Sequence, residues 1–207
     1  MDVAKILLIG GPPALDFVHS IEGRGRESEL NYLPDYASLA AWTARAGLIS
    51  DGSGRELARR SQYHPAASRR VWVQAMALRE TLLAIVGSIA DAKPPPRQAT
   101  AEFNKLLAKA AALRQLSFAA DGEARWSWNP ESTPDFDVIV RELILSAADL
   151  FADPGRTQRI KVCANDPCDW MFLDTSRNGL RRWCRMADCG NVSKVRRFRK
   201  RQQSATA

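Results

Sequence analysis

The sequence has few of the residues on which most enzymes and secreted scaffolds depend. Its 207 residues include two histidines and four cysteines, and no cysteine precedes position 163. It contains no P-loop, GxGxxG, HExxH or nucleophile-elbow motif. His19 and His64 could form an acid and base pair with Asp16, but their spacing does not demand it. We therefore expect no enzyme, and the N-terminal part cannot have a disulfide framework.

Long apolar runs are also missing. No stretch approaches the roughly 20 apolar residues that a spanning helix requires, and the first apolar run ends after four residues at Gly-Gly-Pro-Pro. That run is too short for the apolar region of a signal peptide. We expect a cytoplasmic protein with no membrane partner, in which thiols stay reduced and clustered cysteines bind metal.

Most of the chain lacks a positive net charge, and the surplus of positive charge is concentrated at its end. Between Arg156 and Arg201 there are 13 Lys or Arg against four Asp, a net charge of +9. Residues 1–155 carry a net charge of −2, so the formal charge of +7 belongs to the C-terminal part. A concentrated positive charge indicates a polyanionic partner.

Hydrophobic periodicity predicts an α+β fold. We expect residues 1–155 to form one domain, mainly helical with a short β-hairpin, and residues 156–207 to form a second. The predicted elements are a strand over Lys5–Ile9, a strand or short helix over 14–23, helices over 35–47, 51–60, 65–92 and 97–113, a hairpin over 116–128, and a helix from Thr133 and Pro134 to 153–155.

All four cysteines lie in two close pairs, Cys163-x4-Cys168 and Cys184-x4-Cys189. Four thiolates so arranged can surround one zinc ion tetrahedrally in a closed structural site. Buried free cysteines and a disulfide pair are the alternatives, which the absence of cysteine elsewhere disfavours.

The spacer between the pairs predicts a hairpin. Trp170–Thr175 has strand composition, Asn178-Gly179 favours a tight turn, and Leu180–Trp183 returns toward Cys184. A helix from about Asn191 then follows Cys189 and would point its free N–H groups at the thiolates. Knuckle, hairpin and helix in this order form a treble-clef-like zinc finger.

The final helix predicts a nucleic-acid-binding surface. Val192, Val195 and Phe198 recur at steps of three and should pack on Trp170, Phe172 or Trp183. The basic residues would then face outward. The predicted contacts are Arg181, Arg182, Arg185, Lys194, Arg196, Arg197, Arg199, Lys200 and Arg201. A solvated charged face is the alternative.

The segments FLDTS, RNG, RRWC and CGN, followed by KVRR, resemble the CGNR zinc finger, which follows the ABATE domain in a family described as stress-induced transcription regulators. Gly10–Ser20 is similar to that family's N-terminal signature. The resemblance implies zinc ligands Cys163, Cys168, Cys184 and Cys189, and DNA binding. The sequence departs from the family at two places: Val192 replaces the arginine of the name motif, and His19-Ser20 replaces Asn-Thr.

The resemblance also implies that the N-terminal domain senses a small molecule. Asp16, His19, Arg79 and Trp126 are polar or aromatic candidates for its pocket. We expect a transcription regulator that contacts duplex DNA through one structural zinc finger, as a homodimer formed through the N-terminal domain. An RNA- or ribosome-associated module and a protein-docking adaptor are the alternatives.

Overall fold

The computed structural model describes residues 6–24, 27, 29–129 and 135–205. Its elements in chain order are α1 (Pro13–Val18), β1 (Ile21–Glu22), β2 (Leu30–Asn31), α2 (Tyr36–Arg45), α3 (Asp51–Ser61), α4 (Pro65–Ala90), α5 (Arg97–Ala112), β3 (Arg114–Phe118), β4 (Ala124–Trp128), α6 (Val138–Phe151), α7 (Pro154–Thr157), β5 (Ile160–Val162), β6 (Met171–Leu173), a π-helical turn (Met186–Gly190) and α8 (Asn191–Ala205).

The N-terminal core forms around the long helix α4. Its buried side chains recur at the helical repeat and include Val71, Leu78 and Leu82. Helices α1, α2, α5 and α6 pack against this face. The α+β class predicted from the sequence is confirmed.

Capping explains why α2 begins where the sequence predicted. The Asp35 carboxylate accepts a hydrogen bond from the Ser38 amide at 2.8 Å, and the Ser38 hydroxyl lies 3.2 Å from the Asp35 amide, which donates to it. This reciprocal pair satisfies two amides at the helix start.

The segment before α1 is not a strand. Lys5 lies outside the described residues, and residues 6–9 have no strand partner. The amides of Ile9 and Gly10 donate instead to the Asp16 carboxylate at 2.8 and 2.7 Å, which leaves them unavailable for a β-ladder. The sequence predicts a strand or a short helix for residues 14–23. The short helix is confirmed for Ala14–Val18, and the two-residue strand β1 follows it.

The hairpin around Asp121-Gly122 is confirmed. Strands β3 and β4 pair antiparallel from Arg114 opposite Trp128 to Phe118 opposite Ala124. The start expected for the next helix at Thr133 and Pro134 lies outside the described residues, and α6 begins at Val138.

The prediction of a hairpin between the two cysteine pairs is wrong, because β6 has a different partner strand. Strand β6 pairs with β5, not with Leu180–Trp183, which forms no strand. The buried Asp174 carboxylate explains this, because it accepts hydrogen bonds from the amides of Ser176 and Arg181. The chain therefore bends around Asp174 rather than returning along β6.

Helix α4 corrects the expectation that no segment is apolar enough to span a membrane. By length and composition alone, α4 is long and apolar enough to cross a membrane, with a mean hydropathy of 1.4 over its most apolar window. The core helices of soluble proteins meet the same criterion, and α4 packs against five other helices among the described residues: α1, α2, α3, α5 and α6.

Candidate metal centre and nucleic-acid interface

The four cysteines meet at one point between β5, β6 and the π-helical turn. Their Sγ atoms all lie within 4.8 Å of one another. Cys184 Sγ is 3.8 Å from Cys168 Sγ and 3.6 Å from Cys189 Sγ. Sulfurs held about 2.3 Å from one tetrahedral zinc ion lie about 3.8 Å apart, so the donor set fits zinc. The cluster is a site for one structural zinc ion with no open position.

Hydrogen bonding within the cluster favours a thiolate at Cys168. The hydrogen bond between the Cys168 and Cys184 sulfurs lowers the pKa of Cys168 to about 5 and raises the pKa of Cys184. The Cys184 amide also lies 3.4 Å from Cys163 Sγ and donates to it. Amides directed at sulfur stabilise its negative charge and orient the ligands.

Asp174 and Arg181 support the site from behind, and the sequence analysis missed the role of both. Burial opposes ionisation of Asp174, but hydrogen bonds from Lys161 and Ser176 outweigh it and lower the pKa of this carboxyl. Lys161 Nζ lies 2.7 Å from its carboxylate. The FLDTS segment that carries the family resemblance contains Asp174, and this is the signal that could have found it.

Arg181, predicted to contact nucleic acid, points inward. Its guanidinium lies 4.3 Å from the centre of the Phe172 ring and donates to backbone carbonyls, including that of Trp183 at 3.0 Å and that of Cys184. These contacts hold the third cysteine, Cys184, against strand β6. They also remove Arg181 from the exposed basic set.

The zinc-binding segment is docked on the N-terminal residues. The Leu173 amide donates to the Gly10 carbonyl at 2.8 Å, and the Met171 amide donates to His19 Nε2 at 2.7 Å. His19 stacks on Trp170 with ring centres 4.5 Å apart. Ile160, Met171 and Leu173 belong to the main hydrophobic core. The position of the finger relative to the N-terminal helices is therefore set by direct contacts.

Helix α8 leaves the metal centre with its polar side facing inward. Ser193 Oγ accepts from Trp183 Nε1 at 3.1 Å and donates to Asn165 Oδ1 at 3.0 Å. Arg196 donates to the Asp166 carbonyl from the same side. The amide of Asn191 donates to carbonyls of the π-helical turn, so this first N–H group of α8 is not free to point at the thiolates.

The expected packing of the apolar residues of α8 is wrong. Val192, Val195 and Phe198 are 41%, 49% and 61% exposed, because the hydrogen bonds of Ser193 fix the opposite side of the helix against the finger. Phe172 and Trp183 pack instead within the cysteine cluster.

The basic side chains of α8 are exposed as far as they are described: Lys194, Arg196, Arg197 and Arg199. The side chains of Lys200 and Arg201 lie outside the described set. Arg182 is exposed beside Trp183, and Arg185 forms an exposed ion pair with Asp188 at 3.3 Å. No acidic residue occurs in Asn191–Ala205.

The four predicted ligand residues do not form one pocket. Asp16 is bound to the Ile9 and Gly10 amides, and burial raises its pKa to about 6. Arg79 is buried and donates to Ser20 Oγ at 2.8 Å and to Asn31 Oδ1 at 3.0 Å. Trp126 is 61% exposed on the β3–β4 hairpin beside Arg114.

Of these residues, His19 lines a cavity of about 350 Å³ between the N-terminal segment and the first cysteine pair. Burial is the main cause that lowers the pKa of His19 to about 3, and the nearby charge of Arg24 adds to it. The imidazole is therefore neutral and accepts a hydrogen bond from Met171.

A larger cleft of about 800 Å³ lies elsewhere, between α4, α5 and α6. Its apolar walls include Ile89, Phe103, Leu107, Phe151 and Ile160, and periodicity alone did not reveal it. Ile160 begins β5, so this cleft borders the strand that leads to the first cysteine.

Two family models match the chain. Residues 159–202 match the CGNR zinc finger, and residues 11–154 match ABATE, whose description is "Putative stress-induced transcription regulator". No curated protein is similar enough to match. Together with the cysteine geometry, these matches show that the chain belongs to the ABATE family and carries a CGNR zinc finger.

Proposed function

We propose that the protein is a transcription regulator that binds duplex DNA through α8 and senses a small molecule through its N-terminal domain. The observation that carries the proposal is the exposed basic surface of α8, mounted on the four-cysteine centre and free of acidic residues. Structural zinc sites contribute folding free energy to small modules, so the metal would hold this helix in place. The proposal assigns the protein no enzymatic role and a cytoplasmic location.

The contacts of the two tryptophans in the finger, Trp170 and Trp183, favour DNA over unpaired RNA as the partner. Trp170 stacks on His19, and the Trp183 indole is held by Ser193 and Arg182. RNA-binding modules stack unpaired bases on exposed aromatic faces. Trp170 and Trp183 instead stack on or pack against residues of this chain.

We propose that the small molecule binds in the apolar cleft between α4, α5 and α6. Ligand pockets are typically apolar clefts with few polar groups, and a volume near 800 Å³ falls within their usual range. The cleft touches β5, and β5 pairs with β6 beside the cysteines. A ligand there would contact both parts of the protein, which supports coupling between sensing and DNA binding.

The test is a salt titration of DNA binding by fluorescence anisotropy. Each Lys or Arg that neutralises a phosphate contributes about 0.9 to the slope of log affinity against log salt. We expect Lys194→Ala and Arg199→Ala each to reduce the slope by about that amount. Lys105→Ala, which removes an exposed lysine of α5, is the matched control and should leave it unchanged. Equal slopes for all the variants would contradict DNA binding by α8.

A further inference from the structure

The outer face of α8 carries an apolar ridge, Val195 and Phe198, that is not part of the finger core formed by the residues that the structure describes. Val195 is 49% exposed and Phe198 is 61% exposed, one turn further along. Ser193, which anchors the helix to Trp183 and Asn165, lies about 170° around the helix axis from the middle of this ridge. The ridge therefore points away from the metal centre.

Two basic residues flank the ridge symmetrically. At about 100° per residue, Lys194 and Arg199 lie about 70° to either side of the line through Val195 and Phe198. Both are exposed. The outer face is thus an apolar strip with one basic side chain on either flank.

This arrangement matches the major groove of B-form DNA. The groove is about 12 Å wide and admits an α-helix, with phosphates along both edges and base edges on its floor. Among the groups on that floor, the C5-methyl of thymine is the one that apolar side chains contact. Basic side chains on both flanks would reach the two phosphate rows while the ridge meets the floor.

Building on the proposed function, we propose that Val195 and Phe198 read thymine methyl groups in the major groove, with Lys194 and Arg199 as the flanking phosphate contacts. The two apolar side chains determine sequence preference, and the two basic ones supply affinity that does not depend on sequence. The protein accordingly prefers duplexes that present methyl groups in the major groove.

Other polyanionic surfaces fit the ridge less well. The major groove of A-form RNA is deep and narrow, and uracil has no C5-methyl group. Helices that lie on membranes present broad apolar faces rich in Trp, Phe and Leu, whereas α8 presents one phenylalanine and two valines.

Val192 provides a control at the position where the family motif has arginine. It lies about 90° from the middle of the ridge, on the side of Arg199. Val192→Arg adds a positive charge beside one phosphate row without altering Val195 or Phe198. It should steepen the salt slope by up to about 0.9 and leave the methyl preference unchanged.

The probes are two 20-base-pair duplexes of alternating A·T sequence, one with thymine and one with uracil at every T position. They differ only in the C5-methyl groups. Burying a methyl-sized group contributes enough for a roughly fourfold change in affinity. We expect the full-length, zinc-loaded protein to bind the thymine duplex about 4- to 15-fold more tightly, according to whether one or two methyl groups are contacted.

Two variants separate the contacts with thymine methyl groups from the contacts with phosphates. The double variant Val195→Ala, Phe198→Ala should reduce the thymine-to-uracil ratio toward one and keep the salt slope, while Lys194→Ala should keep the ratio and lower the slope. Both changes are at exposed positions, and zinc content measured for each variant shows that the finger is intact.

Equal affinity for the two duplexes overturns the methyl-reading proposal and leaves DNA binding standing. A ratio that persists in the double variant overturns the assignment to Val195 and Phe198. Binding to neither duplex, with retention on structured RNA or on anionic lipid vesicles, overturns this proposal together with the proposed function.

Discussion

At the scale of single residues, His19 joins the end of helix α1 to strand β6 through the backbone amide of Met171. Its ring accepts a hydrogen bond from the Met171 amide and stacks on Trp170, and accepting at Nε2 requires that the buried imidazole is neutral. The family signature has asparagine at this position, so the histidine gives this chain a titratable group at the contact between its two parts.

Replacing His19 with glutamine should remove a pH-dependent part of the stability. The folded-state pKa is lowered to about 3 from 6.5, so His19 destabilises the folded protein as the pH falls below 6.5. Between pH 7.5 and pH 5.5 the wild type should lose roughly 1 kcal/mol from this residue. Denaturant unfolding of wild type and His19→Gln at both pH values measures it.

The comparison between the two proteins also cancels the other titrating groups. Burial raises the pKa of Asp16 to about 6, which stabilises the fold as the pH falls and has the opposite sign. Zinc ligands are common to both proteins. An identical loss of stability in wild type and His19→Gln would show that the imidazole is not buried in its neutral form.

At the scale of elements, local patterns predicted the helices well and the strand pairing poorly. Helices α2 to α5 follow from caps and from apolar residues at steps of three and four, which are properties of neighbouring residues. The partner of β6 depends on Asp174, whose carboxylate binds the amides of Ser176 and Arg181. No local pattern distinguishes that arrangement from a tight hairpin at Asn178-Gly179.

At the metal centre too, some features could be predicted from the sequence and others could not. The four zinc ligands were predictable because metal geometry constrains cysteine spacing. The direction of α8 was not, because the rule that apolar faces turn inward competes with the hydrogen bonds of Ser193 to Trp183 and Asn165. Val195 and Phe198 consequently lie on the outer face.

The cleft between α4, α5 and α6 gives a test of the sensing role. The fluorescent dye 8-anilinonaphthalene-1-sulfonate, an anion with apolar aromatic rings, should bind the folded protein with increased fluorescence. Ala152→Trp, which places an indole in the lining of the cleft, should reduce the binding at least severalfold. Ala101→Trp, at an exposed position of α5 that does not line this cleft, is the matched control. Equal binding by both variants would place the dye elsewhere.

At the scale of the whole molecule, the finger and the N-terminal domain share one hydrophobic core. Ile160, Met171 and Leu173 pack with the N-terminal helices, while Gly10 and His19 bind the backbone of β6. Changes in the helical domain can therefore reach the metal centre through β5 and β6. This continuity is the physical basis for the proposed control of DNA binding by a bound ligand.

The most direct measurement is a binding selection of the zinc-loaded protein against a randomised duplex DNA library, with a chelator-treated sample and an RNA pool in parallel. We predict an enriched sequence motif that disappears when zinc is removed and returns when zinc is restored. Retention that is unaffected by chelation, or a preference for the RNA pool over every duplex, would contradict a zinc-supported DNA-binding helix.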